Sequence, residues 1–216
     1  MPDLADEVDA ELRAERAKRL ARRFGGLAAG LALLLLAGVA GWEGWRWYER
    51  REAAAAAEAY LAAMREAAAE GADLSAAAQR FAEAGRGAPP GYRALAGLRA
   101  AALLAETGQR EAALAAWNAL ASDSAIAPLY RDLATLLWGL HALDSADPGQ
   151  VAMRIAPLAA PGAPWRASAR EVLVVLALRG GQAAEARRHI DALLADEGTP
   201  PALRERAGRL RQGLDG

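Results

Sequence analysis

The stretch Leu104-Ala105-Glu106-Thr107-Gly108-Gln109-Arg110-Glu111-Ala112-Ala113-Leu114-Ala115-Ala116-Trp117 returns in outline as Ala177-Leu178-Arg179-Gly180-Gly181-Gln182-Ala183-Ala184-Glu185-Ala186-Arg187-Arg188-His189-Ile190. In both, a glycine separates two segments rich in Ala, Leu, Arg and Glu. Each copy therefore reads as a helix, a tight turn and a second helix. β-branched residues are scarce throughout, and no stretch sustains the period-two alternation of a strand. The fold class is all-α.

Gly108 and Gly181 stand 73 positions apart, about twice the 34-residue period of a tetratricopeptide helix pair with slack for longer loops. A third pair is expected midway, and residues 128–143, the turn at 144–148 and residues 148–160 supply it. In such a repeat the second helix needs a small residue five positions after the turn glycine, for close approach. It needs a large apolar one nine positions after, to fill the gap to the next pair. Ala113 with Trp117 and Ala186 with Ile190 comply. Seven positions before the glycine Ala101 fits but Val174 does not, and the middle unit has no turn glycine. An irregular alanine-rich bundle is the competing reading, and it too is all-α.

The remaining breaks fall at Gly71 with Asp73, at 85–91, at 122–128, at 161–164 and at 198–201. All carry Gly, Pro or capping residues. Asp147-Pro148 is a cap followed by a first-turn proline; Pro128 and Thr199-Pro200 open further helices.

Upstream, Phe24 to Trp42 is free of charge and is followed by Trp45, Trp47 and Tyr48. Its nineteen residues would span roughly 28 Å as a helix, close to the ~30 Å hydrocarbon thickness of a bilayer. A single transmembrane helix over 24–44 is therefore expected, with a stub at 1–23 and the repeat domain at 45–216. Six Lys and Arg precede the run and three follow it, which places the N-terminus in the cytoplasm and the repeats outside. A cleaved signal peptide is the competitor, with Gly38-Val39-Ala40 as small residues at a cut; the length of the run and bulky Trp42 oppose it. Gly26, Gly30, Ala37 and Gly41 form a small-residue stripe against which another membrane helix could pack, although such stripes also arise by chance in Gly/Ala-rich spans. Leu4, Val8 and Leu12 suit either an interfacial helix or a solvated tail.

Lys18 is the only lysine among 26 basic residues. Basic and acidic totals nearly cancel, and no basic tract lies outside Arg13 to Arg23, so the electrostatic footprint of a nucleic-acid binder is missing. With no cysteine, stability rests on packing, and thiolate metal sites and thiol redox chemistry are excluded.

Nothing in the chain assembles catalytic machinery. His141 and His189 lie on separate hairpins, outside any Ser/His/Asp or His-Glu-x-x-His pattern. Glu106, Glu111, Glu171 and Glu185 stand beside arginines at helical spacing, as on a solvated face. The glycines of 85–91 are interrupted by two prolines and lack the Lys-Ser/Thr of a phosphate cradle. No enzyme activity, cofactor or metal is expected.

The chain as a whole resembles a known family. The stub Asp6-Glu7-Val8-Asp9-Ala10-Glu11-Leu12-Arg13, an apolar helix ending in Trp and Tyr, the alanine-rich helix bearing Ala59-Tyr60 and three divergent repeat pairs are similar to the YfgM family, ancillary subunits of the bacterial Sec translocon. Pro157-Leu158, then Pro164-Trp165-Arg166-Ala167-Ser168-Ala169-Arg170-Glu171, then Gly181-Gln182 resemble its alphaproteobacterial branch. The resemblance implies a bacterial inner-membrane protein facing the periplasm. Its implied partners are the lipid bilayer, translocon subunits and a membrane-anchored periplasmic prolyl isomerase or chaperone. An envelope-assembly or cell-division scaffold without translocon binding is the alternative.

Stacked pairs leave a concave surface on their first helices. The candidate protein-binding residues are Leu95, Leu98 and Ala102 in the first pair and Glu171, Val175 and Leu178 in the last. For the aliphatic ones, ordinary packing between helices is the competing reading.

Overall fold

In a computed structural model of the protein, the backbone is described for residues 4–215. The side chains of 1–17, 20, 21, 25, 27, 28, 32, 215 and 216 lie outside the described residues, and with them Leu4, Val8 and Leu12 of the stub. All regular elements described are helical: α1 Leu4–Ala67, α2 Leu74–Gly85, α3 Pro90–Glu106, α4 Arg110–Ser122, α5 Pro128–Ala142, α6 Pro148–Ile155, α7 Arg166–Arg179, α8 Ala183–Ala195 and α9 Pro201–Asp215. A short 3-10 turn, Ala156–Ala159, follows α6. The chain divides into two compact units, Met1–Glu52 and Ala53–Gly216.

Local chemistry sets the helix ends in the second unit. Asp73 accepts from the backbone N–H groups of Ser75 and Ala76, and Asp147 from that of Gln150, satisfying donors that the first helical turn leaves free. Prolines open α3, α5, α6 and α9, where their missing N–H costs nothing. At the two turn glycines φ is +77° and +68°, a left-handed conformation that any Cβ would strain. The turns are built alike: Gln109 N–H donates to Leu104 C=O and Gln182 N–H to Ala177 C=O, each at 2.8 Å.

Successive helices then pack antiparallel through four apolar clusters. The C-terminal part of α1 pairs with α2, as Tyr60 and Ala63 meet Ala77, Ala78 and a fully buried Phe81, together with Leu103 of α3. The Tyr60 and Phe81 rings meet edge to face at 5.3 Å, a favoured aromatic geometry. Trp117 of α4 is fully buried against Ala101, Ala113 and Ala134, so it joins α3, α4 and α5. Leu136, Val151, Ile155 and Leu173 centre the next layer, and Val174, Ile190, Leu193 and Leu203 the last. The middle pair is tightened differently from its neighbours: a Cβ on Gly139 would come within 2.5 Å of Ile155, so α6 rests directly on the α5 backbone. Four helix layers result, one more than the expected three pairs, because α1 and α2 supply a layer ahead of α3.

The first unit is corrected against expectation. Among the described residues no helix is long and apolar enough to cross a membrane. The expected transmembrane helix over 24–44 is not supported, nor is the single-pass inner-membrane location built on it. Helix α1 runs on past Trp42 without a break into Glu43, Arg46, Glu49 and Arg50, so the apolar stretch has no helical end of its own.

Candidate partner-binding surface

The 73-residue correspondence extends well beyond the turn glycines. Arg93 at the start of α3 binds Asp123 at the end of α4 at 3.0 Å, and Arg166 at the start of α7 binds Asp196 at the end of α8 at 2.5 and 2.9 Å. Each aspartate also accepts a backbone N–H two residues on, from Ala125 and Gly198. These contacts hold the Asp196 carboxyl down at about 2, the Arg166 hydrogen bonds contributing most. The Asp123 carboxyl is lowered too, first by Ala125 N–H and then by Arg93. One ion pair thus closes the far end of each hairpin while the glycine turn closes the near end. Pro128 and Arg131 of α5 correspond to Pro201 and Arg204 of α9, so α3–α4–α5 and α7–α8–α9 are sister modules.

The modules differ in what fills the space beside the ion pair. In the first, an apolar groove of about 590 Å³ runs over α3 between α2 and α4. Its floor is made of small residues, Ala78, Ala82, Gly97, Ala100, Ala116 and Ala119, with Arg86, Arg93 and Asp123 toward one end. A Cβ on Gly97 would meet the Leu120 side chain at 2.7 Å. Gly97, Ala100 and Ala116 have Arg170, Leu173 and His189 as counterparts in the second module. There Arg170 reaches across to the Ala192 carbonyl at 3.3 Å and Asp196 at 3.5 Å.

The expected binding residues lie elsewhere. At about 100° per residue, Arg93, Gly97, Ala100 and Leu104 share one side of α3, whereas Leu95, Leu98 and Ala102 share the other. Leu95 is exposed; Leu98 packs onto the Trp117 cluster and Leu178 onto the Val174 cluster. Glu171 binds Arg206 of α9 at 2.8 Å, and Val175 is half-buried. In the first unit, Gly26, Gly30 and Gly41 face open space and Ala37 is exposed. Sequence reasoning missed the groove because a floor of glycine and alanine carries no signal in an alanine-rich chain. Comparing the two modules at the 73-residue offset, position by position, would have exposed it.

Neither histidine has a reactive setting. The His141 ring lies 4.5 Å from that of Trp117, and burial, assisted by Arg110, lowers its pKa. His189 is lowered mainly by burial. Both imidazoles are therefore held toward the neutral form as packing groups. Among the described residues no cluster of His, Asp and Glu is arranged to hold a metal ion.

A family described as "Tetratricopeptide repeat-like domain" matches residues 18–195. No curated protein and no solved structure matches the chain.

Proposed function

Because the chain belongs to the tetratricopeptide repeat-like domain family, we propose that it is a non-enzymatic scaffold whose stacked helix pairs capture partner proteins. The observation that carries this reading is the apolar surface left on the first helices of successive layers. Leu61 and Met64 of α1, Leu95 of α3 and Leu129 and Leu140 of α5 are all exposed, although neighbouring turns of the same helices are packed. Repeat arrays bind along such extended surfaces, and large apolar side chains there supply contact area for a partner.

The finer reading, carried by the resemblance to the YfgM family, is that the partners are Sec translocon subunits and a periplasmic prolyl isomerase or chaperone. Affinity capture with the full chain from detergent-solubilised extract, read by quantitative mass spectrometry, tests both levels. Translocon subunits that are captured by the wild type and lost with Leu95→Arg support the finer reading. Division or cell-wall proteins in their place move the scaffold to envelope assembly. No specific partner at all overturns the scaffold.

A further inference from the structure

The sister modules share an ion-pair network in which the first lacks one member. Around Asp196, Arg166 binds the carboxylate, Arg170 reaches it at 3.5 Å, and Arg204 donates to its backbone carbonyl at 3.0 Å. Arg170 completes its guanidinium with the Ala192 carbonyl at 3.3 Å and lies 15% exposed. Seventy-three positions earlier stand Arg93, Gly97, Ala119, Asp123 and Arg131. Arg93 binds Asp123, and Arg131 acts on the same carboxylate through space. Only the arginine of position 170 has no counterpart. Gly97 stands in its place, and the groove opens there.

We propose that this groove takes an arginine side chain from a partner protein, its guanidinium seated between the Asp123 carboxylate and the Ala119 carbonyl. The second module shows which end group these acceptors take: a planar donor that serves the Ala192 carbonyl and the Asp196 carboxylate together. Lysine, a compact charge without that fork, fits the same pair of acceptors less well. The small floor gives the arginine stem and its apolar neighbours close contact. Arg86, exposed at the groove and corresponding to Ala159 in the second module, adds a positive charge that the sister site does not carry. The partner segment therefore bears an acidic residue beside its arginine, so that Arg86 is matched and the inserted guanidinium is not repelled. This site lies on the opposite side of α3 from Leu95 and rests on the reading of the chain as a partner-binding scaffold.

The test uses the full chain and a random-peptide phage library as the probe. The selected peptides carry arginine among small or apolar residues with Asp or Glu nearby. Replacing that arginine by citrulline, which keeps the shape and removes the charge, lowers affinity roughly tenfold or more. Gly97→Arg supplies the missing side chain from within and abolishes peptide binding, with some fall in melting temperature because its Cβ must displace the Leu120 side chain, 2.7 Å away. Ala100→Leu, which installs the counterpart Leu173, narrows the floor and weakens binding, and it decides the matter should Gly97→Arg fail to fold. Peptides not enriched in arginine, a citrulline peptide that binds equally, or undiminished binding to the folded filled variants would overturn the proposal. If extract partners are captured unchanged by Gly97→Arg but lost with Leu95→Arg, the scaffold stands and the groove site falls. If arginine peptides bind the groove while no extract partner is found, the reverse holds.

Discussion

Arg166 and Asp196, thirty positions apart, join the start of α7 to the end of α8 through two hydrogen bonds of 2.5 and 2.9 Å. Arg93 and Asp123 repeat the relationship across α3 and α4. Each hairpin is thereby tied at both ends, by a left-handed glycine where the chain turns and by a charged pair where it leaves. The Arg166 pair is bidentate and fixes orientation as well as distance, whereas Arg93 holds Asp123 through one hydrogen bond and donates from its other terminal nitrogen to the Ala88 carbonyl at 3.3 Å.

The Asp196 pair makes stability depend on acid. Its folded pKa of about 2 lies below the ordinary value of 3.8, so folding favours the deprotonated carboxylate. The contribution is present in full above about pH 4 and is lost as pH falls through about 2. Melting temperatures of wild type and Asp196→Asn, measured across this range, should converge as the solution becomes more acid. A gap that stays constant would mean that the carboxylate is not ionised in the pair.

Trp117→Ala removes the large, fully buried side chain at the junction of α3, α4 and α5. The cost should be on the order of 3 to 5 kcal/mol for a fully buried ring, spreading to both neighbouring layers through their shared interfaces. In a chain of this size that corresponds to a fall of about 6 to 20 °C in Tm. A change within a degree or two would show that the ring is not packed at that junction.

Glycine substitutions should divide by backbone conformation. Gly108→Ala and Gly181→Ala place a Cβ at φ of +77° and +68° and should each cost about 1 to 2 kcal/mol. Gly208→Ala, within α9 and facing open space, should be neutral or stabilise by up to about 1 kcal/mol. Chemical denaturation of the three variants measures this directly, and equal effects at all three positions would contradict the assigned turns.

What was legible in the sequence was local. Gly108 and Gly181 announce their turns because only glycine takes that conformation without strain, and Ala113 and Trp117 announce a packed second helix through size at fixed spacing. The layer formed by α1 and α2 was not legible as a pair, although its break at Gly71 and Asp73 was, because Tyr60 meets Phe81 across a turn with no repeat signature. The run from Phe24 to Trp42 was read for its apolar length, whereas α1 continues without a break into Glu43, Arg46 and beyond. The groove is defined by side chains that are missing. Gly97 and Ala100 acquire meaning only beside Arg170 and Leu173, once the two modules are known to share one geometry.

The most direct test of the scaffold is quantitative affinity capture with the tagged full chain, comparing wild type with Trp117→Ala and Leu95→Arg. The account predicts a small set of proteins enriched by wild type and depleted by both variants, the first through loss of the array and the second through loss of its exposed first-helix surface, with Leu95→Arg retaining the wild-type melting temperature. A partner set unaffected by either change, or no specific partner for the wild type, would contradict it.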